Sequence, residues 1–357
     1  MRNAKKVIVG LSGGVDSAVS LFLLKKQGFD TIGVFLKMGS WQGRSKNSEQ
    51  KQINTVKKIC SQMNTPCYVL DCFSEFKKKV IDYFKNSLKK GLTPNPCVIC
   101  NYDLKFKKLI QFAKIKKADY VATGHYARIK RVGDKYELLR AKDKKKDQSY
   151  FLCLLTQNQL RKIIFPLGNL RKREVLQIAR KNKWQFLSLF YPSQDLCFLG
   201  PQKIVSYLKR MFGLKKGNIK DIQGNILGTH QGLYFYTLGQ RKRIGLSGGP
   251  WWVVGFDYRN NDLIISKDKN DPRLFAKEVM VSNFHFISGE KFPAKRSFIK
   301  IRTKLRYQAP LVWARLYPLG NRLKLVFQKK QRTPTPGQFA VFYKNDICLG
   351  GGIIDKL

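Results

Sequence analysis

Residues 7–9 are three β-branched apolar side chains in a row, Val7, Ile8 and Val9, which predicts a short buried strand. Gly10 ends the run, and Leu11, Ser12, Gly13, Gly14, Val15, Asp16 and Ser17 follow. From 18 to 25 apolar residues return at helical spacing, Val19, Leu23 and Leu24 among them. The same alternation continues, with strands predicted at 28–37 and 66–71 and a helix at 55–63. Phe73, Phe76, Val80, Phe84 and Leu88 then mark one face of an amphipathic helix. This β-α-β-α order predicts an α/β fold with a doubly wound parallel sheet, whose ligands sit beyond the carboxyl ends of the strands. A further buried strand is expected at 118–122 and a hairpin strand at 136–140.

After residue 203 the pattern changes. Glycine-rich turns around 221–232 and 239–250 suggest a small central module. Beyond 276 the chain alternates with period two. Ile299, Ile301, Leu305 and Tyr307 predict one apolar face, and Lys300, Arg302, Lys304 and Arg306 a cationic one. Runs at 311–317, 322–328, 339–343 and 348–354 complete a C-terminal β-barrel reading. The expected units are 1–203, 204–275 and 276–357.

The break at Gly10 carries the first chemistry. Strand, glycine loop and helix make an anion site, because glycines let backbone N–H groups close on phosphate oxygens and the helix adds its own free donors. The loop lacks the Gly-Lys-Ser/Thr ending of a Walker A loop. At 94–100 two prolines stop a helix, and Cys97 and Cys100 follow at C-x-x-C spacing. That spacing alone fits a metal half-site, a redox pair or a catalytic thiol. A helix N-terminus and Lys105 nearby would favour the thiolate. His125, at the carboxyl end of the strand at 118–122, reads equally well as a functional group or a hydrogen-bonded structural one.

Composition narrows the classes. The 357 residues carry 69 Lys and Arg against 23 Asp and Glu, a formal net charge of +46. A polyanionic partner is expected, alongside a compositional excess of lysine on solvated faces. No stretch approaches the ~20 apolar residues of a membrane span. The N-terminus runs directly into the first strand, so a cytoplasmic location and no membrane partner are expected. The eight cysteines are then expected to be reduced, catalytic or metal-binding rather than structural disulfides. Cys60, Cys67, Cys72 and Cys348 read as core residues. Trp251 and Trp252, beside basic residues, read as core or as stacking platforms for unpaired bases.

The order Ser-Gly-Gly-Val-Asp-Ser resembles the PP-loop of ATP pyrophosphatases. With TPNPC-x-x-CN, TGHYAR, KDQSYFL, SQDLCF and YTLGQRK in sequence, the chain from residue 7 onward resembles the tRNA-specific 2-thiouridylase family. That resemblance implies ATP-dependent 2-thiolation of the wobble uridine of tRNA. It implies ATP binding by Gly10, Leu11, Ser12, Gly13, Gly14, Val15, Asp16, Ser17, Leu36 and Gly124. Asn95, Pro96 and Cys97 would touch the target base, and His125, Lys146, Asp147, Gln148, Arg306, Tyr307 and Gln338 the tRNA. Cys100 would be the catalytic thiol and Cys197 the persulfide carrier, with Asp16 counted among the catalytic residues. Mg²⁺ is expected through Asp16 and the ATP phosphates. Lys, Glu and Gln isoacceptors are the expected substrates, and a relay protein or cysteine desulfurase the sulfur donor. The sequence departs from the family in having Cys97 where many relatives carry Asp, and in few acidic residues after Lys37. The first departure opens a second route, a 4Fe–4S iron–sulfur cluster on Cys97, Cys100 and Cys197. Two other readings compete with the whole: a ligase of the same fold acting on a small molecule, and a non-catalytic RNA-binding protein whose cysteines hold a metal. The charge and the paired cysteines argue against the first of these.

Overall fold

Val7, Ile8 and Val9 have no solvent exposure and lie at the centre of a parallel sheet. In the computed structural model, which describes residues 4–39, 46–182, 184, 204–290, 292 and 297–355, this sheet has five strands. They are β1 (Lys6–Gly10), β2 (Asp30–Lys37), β3 (Cys67–Asp71), β4 (Tyr120–Thr123) and, further along, a two-residue strand at Ile163–Ile164, in the order β3-β2-β1-β4 and then the short strand. Helix α1 (Val15–Lys26) follows the glycine loop directly and is buried on most of its circumference. It packs with α2 (Lys46–Gln62) on one face of the sheet, around Val19, Leu21, Leu24, Val56 and Ile59. The other face is covered by the helical run from Pro96 to Ile115, through Phe106, Leu109 and Phe112. α2 is longer than the predicted 55–63 because its first two turns are polar and carry no apolar period.

Two helices contain π turns. The first is Lys77–Ile81, between Phe73–Phe76 and Asp82–Lys89; the second is Cys100–Lys105, between Pro96–Ile99 and Phe106–Ile115. Such turns insert one residue per turn and recur at functional sites.

The chain then forms a hairpin, β5 (Ala127–Val132) and β6 (Lys135–Arg140), whose role is not local. After the short strand at Ile163–Ile164, numbered β7, the helix Lys172–Lys181 packs on α1. The central module is a four-stranded sheet of β8 (Gly217–Lys220), β9 (Ile226–His230), β10 (Trp252–Asp257) and β11 (Asp262–Ser266), with a small core of Ile219, Leu233, Val253, Leu263 and Ile265. The C-terminal strands β12 (Phe275–Phe286), β13 (Ile299–Lys304), β14 (Val312–Leu319), β15 (Arg322–Arg332), β16 (Phe339–Lys344) and β17 (Ile347–Ile354) run in the order β12-β15-β14-β13-β16-β17. β12 pairs with β17 and closes them into a six-stranded barrel. Outside the barrel β6 adds to β17, with Leu139 opposite Ile347 and Leu138 opposite Cys348. The N-terminal unit and the barrel therefore share one sheet and one core, in which Leu138, Tyr150, Phe339, Val341 and Tyr343 are buried together.

Cys60, Cys72 and Cys348 are core residues. Cys67 is only half-buried, and a hydrogen bond from Cys60 lowers its thiol to about 7. The predicted cationic face is shorter than its period suggests. β13 ends at Lys304, which is buried and donates to the Tyr307 carbonyl at 3.3 Å, and burial lowers its pKa. Thr303 and Lys304 are both buried, so the alternation is already lost at the end of β13, and Arg306, beyond the strand, also turns inward. Trp251 and Trp252 are half-buried, each with a cation over its ring, Lys267 and Arg241 respectively. Among the described residues no helix is long and apolar enough to cross a membrane.

Candidate active site

The loop between β1 and α1 is held by its own serines. Ser17 Oγ donates to the Gly14 carbonyl at 2.9 Å and accepts from Ser12 N at 3.2 Å, and Ser12 Oγ accepts from Gly14 N at 3.4 Å. Gly13 sits at φ +80°, a conformation glycine adopts without steric cost. Gly124, beyond β4, lies so close to the first turn of α1 that an added Cβ would stand 2.8 Å from Asp16 C and Ser17 N. The loop opens on a cavity of about 290 Å³ at the carboxyl ends of the strands. Gly10, Leu11, Ser12, Asp16, Ser17, Leu36 and Gly124 line it, so most of the residues expected to bind ATP meet at one cavity.

Asp16 is more constrained than its motif suggests. Its Oδ1 accepts from Lys172 Nζ at 2.5 Å and from the Tyr126 hydroxyl at 2.8 Å. Burial first, and the Asp16 charge next, push the Tyr126 phenol up, which keeps it a neutral donor. Tyr126 stands inside TGHYAR, from which only Gly124 and His125 are expected at the site. Lys172 carries no sequence signal that sets it apart from the chain's other lysines.

The helical run that begins at Pro96 joins the two halves of the site. Cys97 is half-buried and Cys100 is buried. Cys100 opens the π turn, and Lys105 closes it with its side chain on the nucleotide cavity, where Leu109 also lies. Lys105 Nζ donates to Asn101 Oδ1 at 3.0 Å. Cys100 and Lys105 are thus the two ends of one π turn, and Lys105 is the end that lines the cavity.

The loop ahead of Cys97 is gripped from two sides. Thr93 N donates to the Pro336 carbonyl and Gln338 Nε2 to the Thr93 carbonyl, both at 2.8 Å. The Tyr258 hydroxyl of the central module donates to the Gly91 carbonyl at 3.0 Å. A cleft of about 770 Å³ leads toward it between Pro94 and the basic turn at Lys242 and Arg243.

The residues expected at the tRNA divide by environment. Lys146 is exposed on the basic loop. His125 lines the nucleotide cavity, with Thr123 Oγ1 2.7 Å from its Nδ1 and the rings of Phe106 and Phe165 against it. Burial, then the Lys105 charge, hold its pKa well below the usual value. Gln148 Oε1 accepts from Tyr126 N and faces the same cavity. Tyr307 stacks on Phe151, with ring centres 4.4 Å apart. Asp147, expected at the tRNA, has its side chain turned inward. Its carboxylate is buried, pairs with Arg140 Nε at 3.2 Å, and accepts from Ala141 N, Ser149 N and Ser149 Oγ. A carboxylate so enclosed anchors its own loop, because burial without such donors would be costly. Arg306 is likewise turned inward, where Nη2 donates to the carbonyls of Leu238 and Thr333 and to Thr335 Oγ1. It clips the central module to the barrel.

Among the described residues no three His, Cys, Asp or Glu side chains converge as metal ligands. Cys197, with the stretch 193–198, lies outside the described residues.

Three family models match the chain: a tRNA methyl transferase HUP domain over residues 5–201, a tRNA methyl transferase PRC-barrel domain over 205–267, and an aminomethyltransferase beta-barrel domain over 276–354. The tRNA-specific 2-thiouridylase MnmA 1 of Geobacillus kaustophilus is 41% identical over 365 residues, covering 99% of this chain and 96% of that protein. The tRNA-specific 2-thiouridylase MnmA of Halalkalibacterium halodurans is 38% identical over 362 residues, covering 99% and 95%. Among solved structures, the U34-tRNA thiolase NcsA of Methanococcus maripaludis aligns with a TM-score of 0.38 and 22% identity, over 58% of this chain and 68% of that one. On the strength of full-length identity and the matched models, the chain belongs to the tRNA-specific 2-thiouridylase family.

Proposed function

We propose that the protein is an ATP-dependent tRNA sulfurtransferase that converts the wobble uridine to 2-thiouridine, with modules at 1–203, 204–275 and 276–357. The observation that carries this reading is the shared helical run: Cys100 opens it, and Lys105 and Leu109 on the same run line the cavity beside the Ser12–Ser17 loop. A nucleotide-activating loop and a thiol are thereby built to act on one group. That arrangement favours thiolation over the methyl transfer in the family models' descriptions, for which neither an ATP phosphate loop nor a buried thiol is needed.

The C2 oxygen of uracil is a poor leaving group. In the proposed reaction it attacks the α-phosphorus of ATP, and pyrophosphate departs into the loop, where backbone N–H groups of a helix start receive it. The base reaches the site only by leaving the anticodon stack. The terminal sulfur of a Cys197 persulfide then attacks C2 and AMP leaves. The Cys100 thiolate attacks Cys197 Sγ, forming a Cys100–Cys197 disulfide and releasing the thiolated base. An external thiol reduces the disulfide and a sulfur donor reloads Cys197. Mg²⁺ would be held by Asp16 through Oδ2, because Oδ1 is taken by Lys172 and Tyr126, together with the ATP phosphates. It would supply charge neutralisation for the departing pyrophosphate.

A second sulfur carrier is supported by Cys97 and Cys100 standing three residues apart at one helix start. With Cys197 they would hold a 4Fe–4S cluster, which would supply an iron able to bind hydrosulfide. The test uses purified protein, ATP, a persulfide donor and unmodified tRNA of the Lys, Glu or Gln type. Mass spectrometry should find sulfur in place of oxygen at the wobble uridine, with tRNA-dependent pyrophosphate release. Cys100→Ser should lose thiolation yet still release pyrophosphate, and Ser12→Ala or Asp16→Ala should lose both while tRNA still binds. No sulfur incorporation by the wild type overturns the reading. Full activity of iron-free protein from a persulfide, or of Cys97→Ser, excludes the cluster route.

A further inference from the structure

The barrel carries a second charged surface, separate from the site. On its outer wall Arg302 of β13 stands opposite Trp313 of β14, and one row further Lys300 stands opposite Arg315. Trp313 is 47% exposed, unusual for the largest apolar side chain on a sheet with a packed interior. Lys300 Nζ lies 5.1 Å and the Arg302 guanidinium 5.8 Å from its ring. Arg315 lies 5.0 Å from the ring of Phe298, which in turn packs on Tyr317. Among the described residues Lys300, Arg302 and Arg315 have no carboxylate partner, and the neighbouring Glu278 is paired with Lys324 at 2.8 Å. The two rows are two residues apart, so the stripe extends for roughly 7 Å along the strands. It borders a groove of about 620 Å³.

The ring order locates this wall. β14 is three strands from β17 in either direction around the barrel, and β17 is where the N-terminal unit attaches. The stripe therefore lies on the wall away from that attachment, and among the described residues none of β13, β14 or the connection carrying Arg306 and Tyr307 lines the nucleotide cavity. We propose that the Lys300–Arg302–Trp313–Arg315 stripe is a second tRNA contact, holding RNA outside the anticodon stem-loop. Three cations without counter-carboxylates fit phosphates, and an exposed indole among them fits an unpaired base or ribose edge. This rests on the reading that tRNA is the substrate; an acidic protein would not need the indole.

The test measures binding without ATP, so that it stands whether or not thiolation occurs. Full-length tRNA and the isolated anticodon stem-loop are titrated against wild type, the triple variant K300A/R302A/R315A, Trp313→Ala and Trp313→Phe. The triple variant should bind full-length tRNA about tenfold or more weakly. Its log–log salt slope should be shallower by about 2, at ~0.7 to 0.9 for each phosphate no longer neutralised. Trp313→Ala should lose several-fold in affinity and Trp313→Phe should recover most of it. All should bind the stem-loop as wild type does. Unchanged affinity and slope on full-length tRNA would overturn the proposal. So would an equal loss on the stem-loop, which would assign the stripe to the site already described, or a change in oligomeric state without a change in RNA binding. If wild type binds tRNA through the stripe but never thiolates it, the functional reading fails and this one stands.

Discussion

Gly124→Ala puts the nucleotide site to a steric test. The added methyl would stand 2.8 Å from Asp16 C and Ser17 N and 3.1 Å from Asp16 O, all backbone atoms in the first turn of α1. Carbon contacts settle near 3.5 Å or beyond, so one element must move by roughly 0.7 Å. β4 is fixed by parallel pairing with β1 on one side and β7 on the other. The start of α1 must therefore shift, carrying Asp16 away from Tyr126 and Ser17 away from Ser12. Overpacking of this kind costs about 1–3 kcal/mol. At ~2–4 °C per kcal/mol for a domain of this size, melting should fall by about 2–12 °C. If that energy falls wholly on the nucleotide-binding geometry, ATP affinity should drop about 5- to 150-fold. Gly13→Ala is the contrast. Its methyl would meet nothing closer than 3.5 Å, and the cost is left-handed strain of about 1–2 kcal/mol without displacement of α1. Calorimetric titration with ATP and thermal melting of both variants decide the matter. A Gly124→Ala protein that melts and binds ATP like wild type would refute the packing argument.

Two further outcomes follow from side chains turned inward. Arg306→Ala should cost about 1.5–3 kcal/mol, since a charged donor is lost from two carbonyls and a hydroxyl, and proteolysis between the central module and the barrel should accelerate; resistance equal to wild type would show that the clip is idle. His125, His230 and His285 all have pKa values held below the usual 6.5, in each case chiefly by burial. Each stays neutral in the fold and takes up a proton on unfolding, so stability is full above about pH 6.5 and declines as pH falls below it. Melting at pH 7.5 and 5.5 should show that decline, reduced in His285→Gln, and a flat profile would contradict the burial assigned to these rings.

The core of the site is legible in the sequence because local rules and tertiary demands agree there. Three β-branched residues, a glycine break and an apolar helix can be arranged in few ways, and Ser12, Asp16 and Ser17 line the cavity those rules predict. The barrel strands are legible for the same reason, since period two holds within each of them. What stays hidden depends on residues distant in sequence. Lys172 meets Asp16 across 156 positions, and nothing in its own neighbourhood marks it. Lys304, the last residue of β13, and Arg306, beyond it, continue an alternating pattern that the fold does not follow, so periodicity alone puts them on the wrong face. Asp147 sits in a run of lysines that suggests an exposed loop, while its carboxylate is enclosed by donors from that same loop. The stripe around Trp313 cannot be read along the chain, because cross-strand register brings it together.

The strand that joins the two ends of the molecule also fixes the timing of its synthesis. β6 has β5 on one side and receives its other neighbour only from β17, made some two hundred residues later and near the end of the chain. At ~5–20 residues per second the hairpin stays open for roughly 10–40 s on the ribosome. The barrel is also unclosed for as long as β17 is missing. A nascent N-terminal unit can complete its parallel sheet early, yet it holds a bare strand edge of the kind that recruits other chains until the last strand emerges. A message truncated shortly before Ile347 would leave three open edges, β6 on the hairpin and β12 and β16 on the barrel.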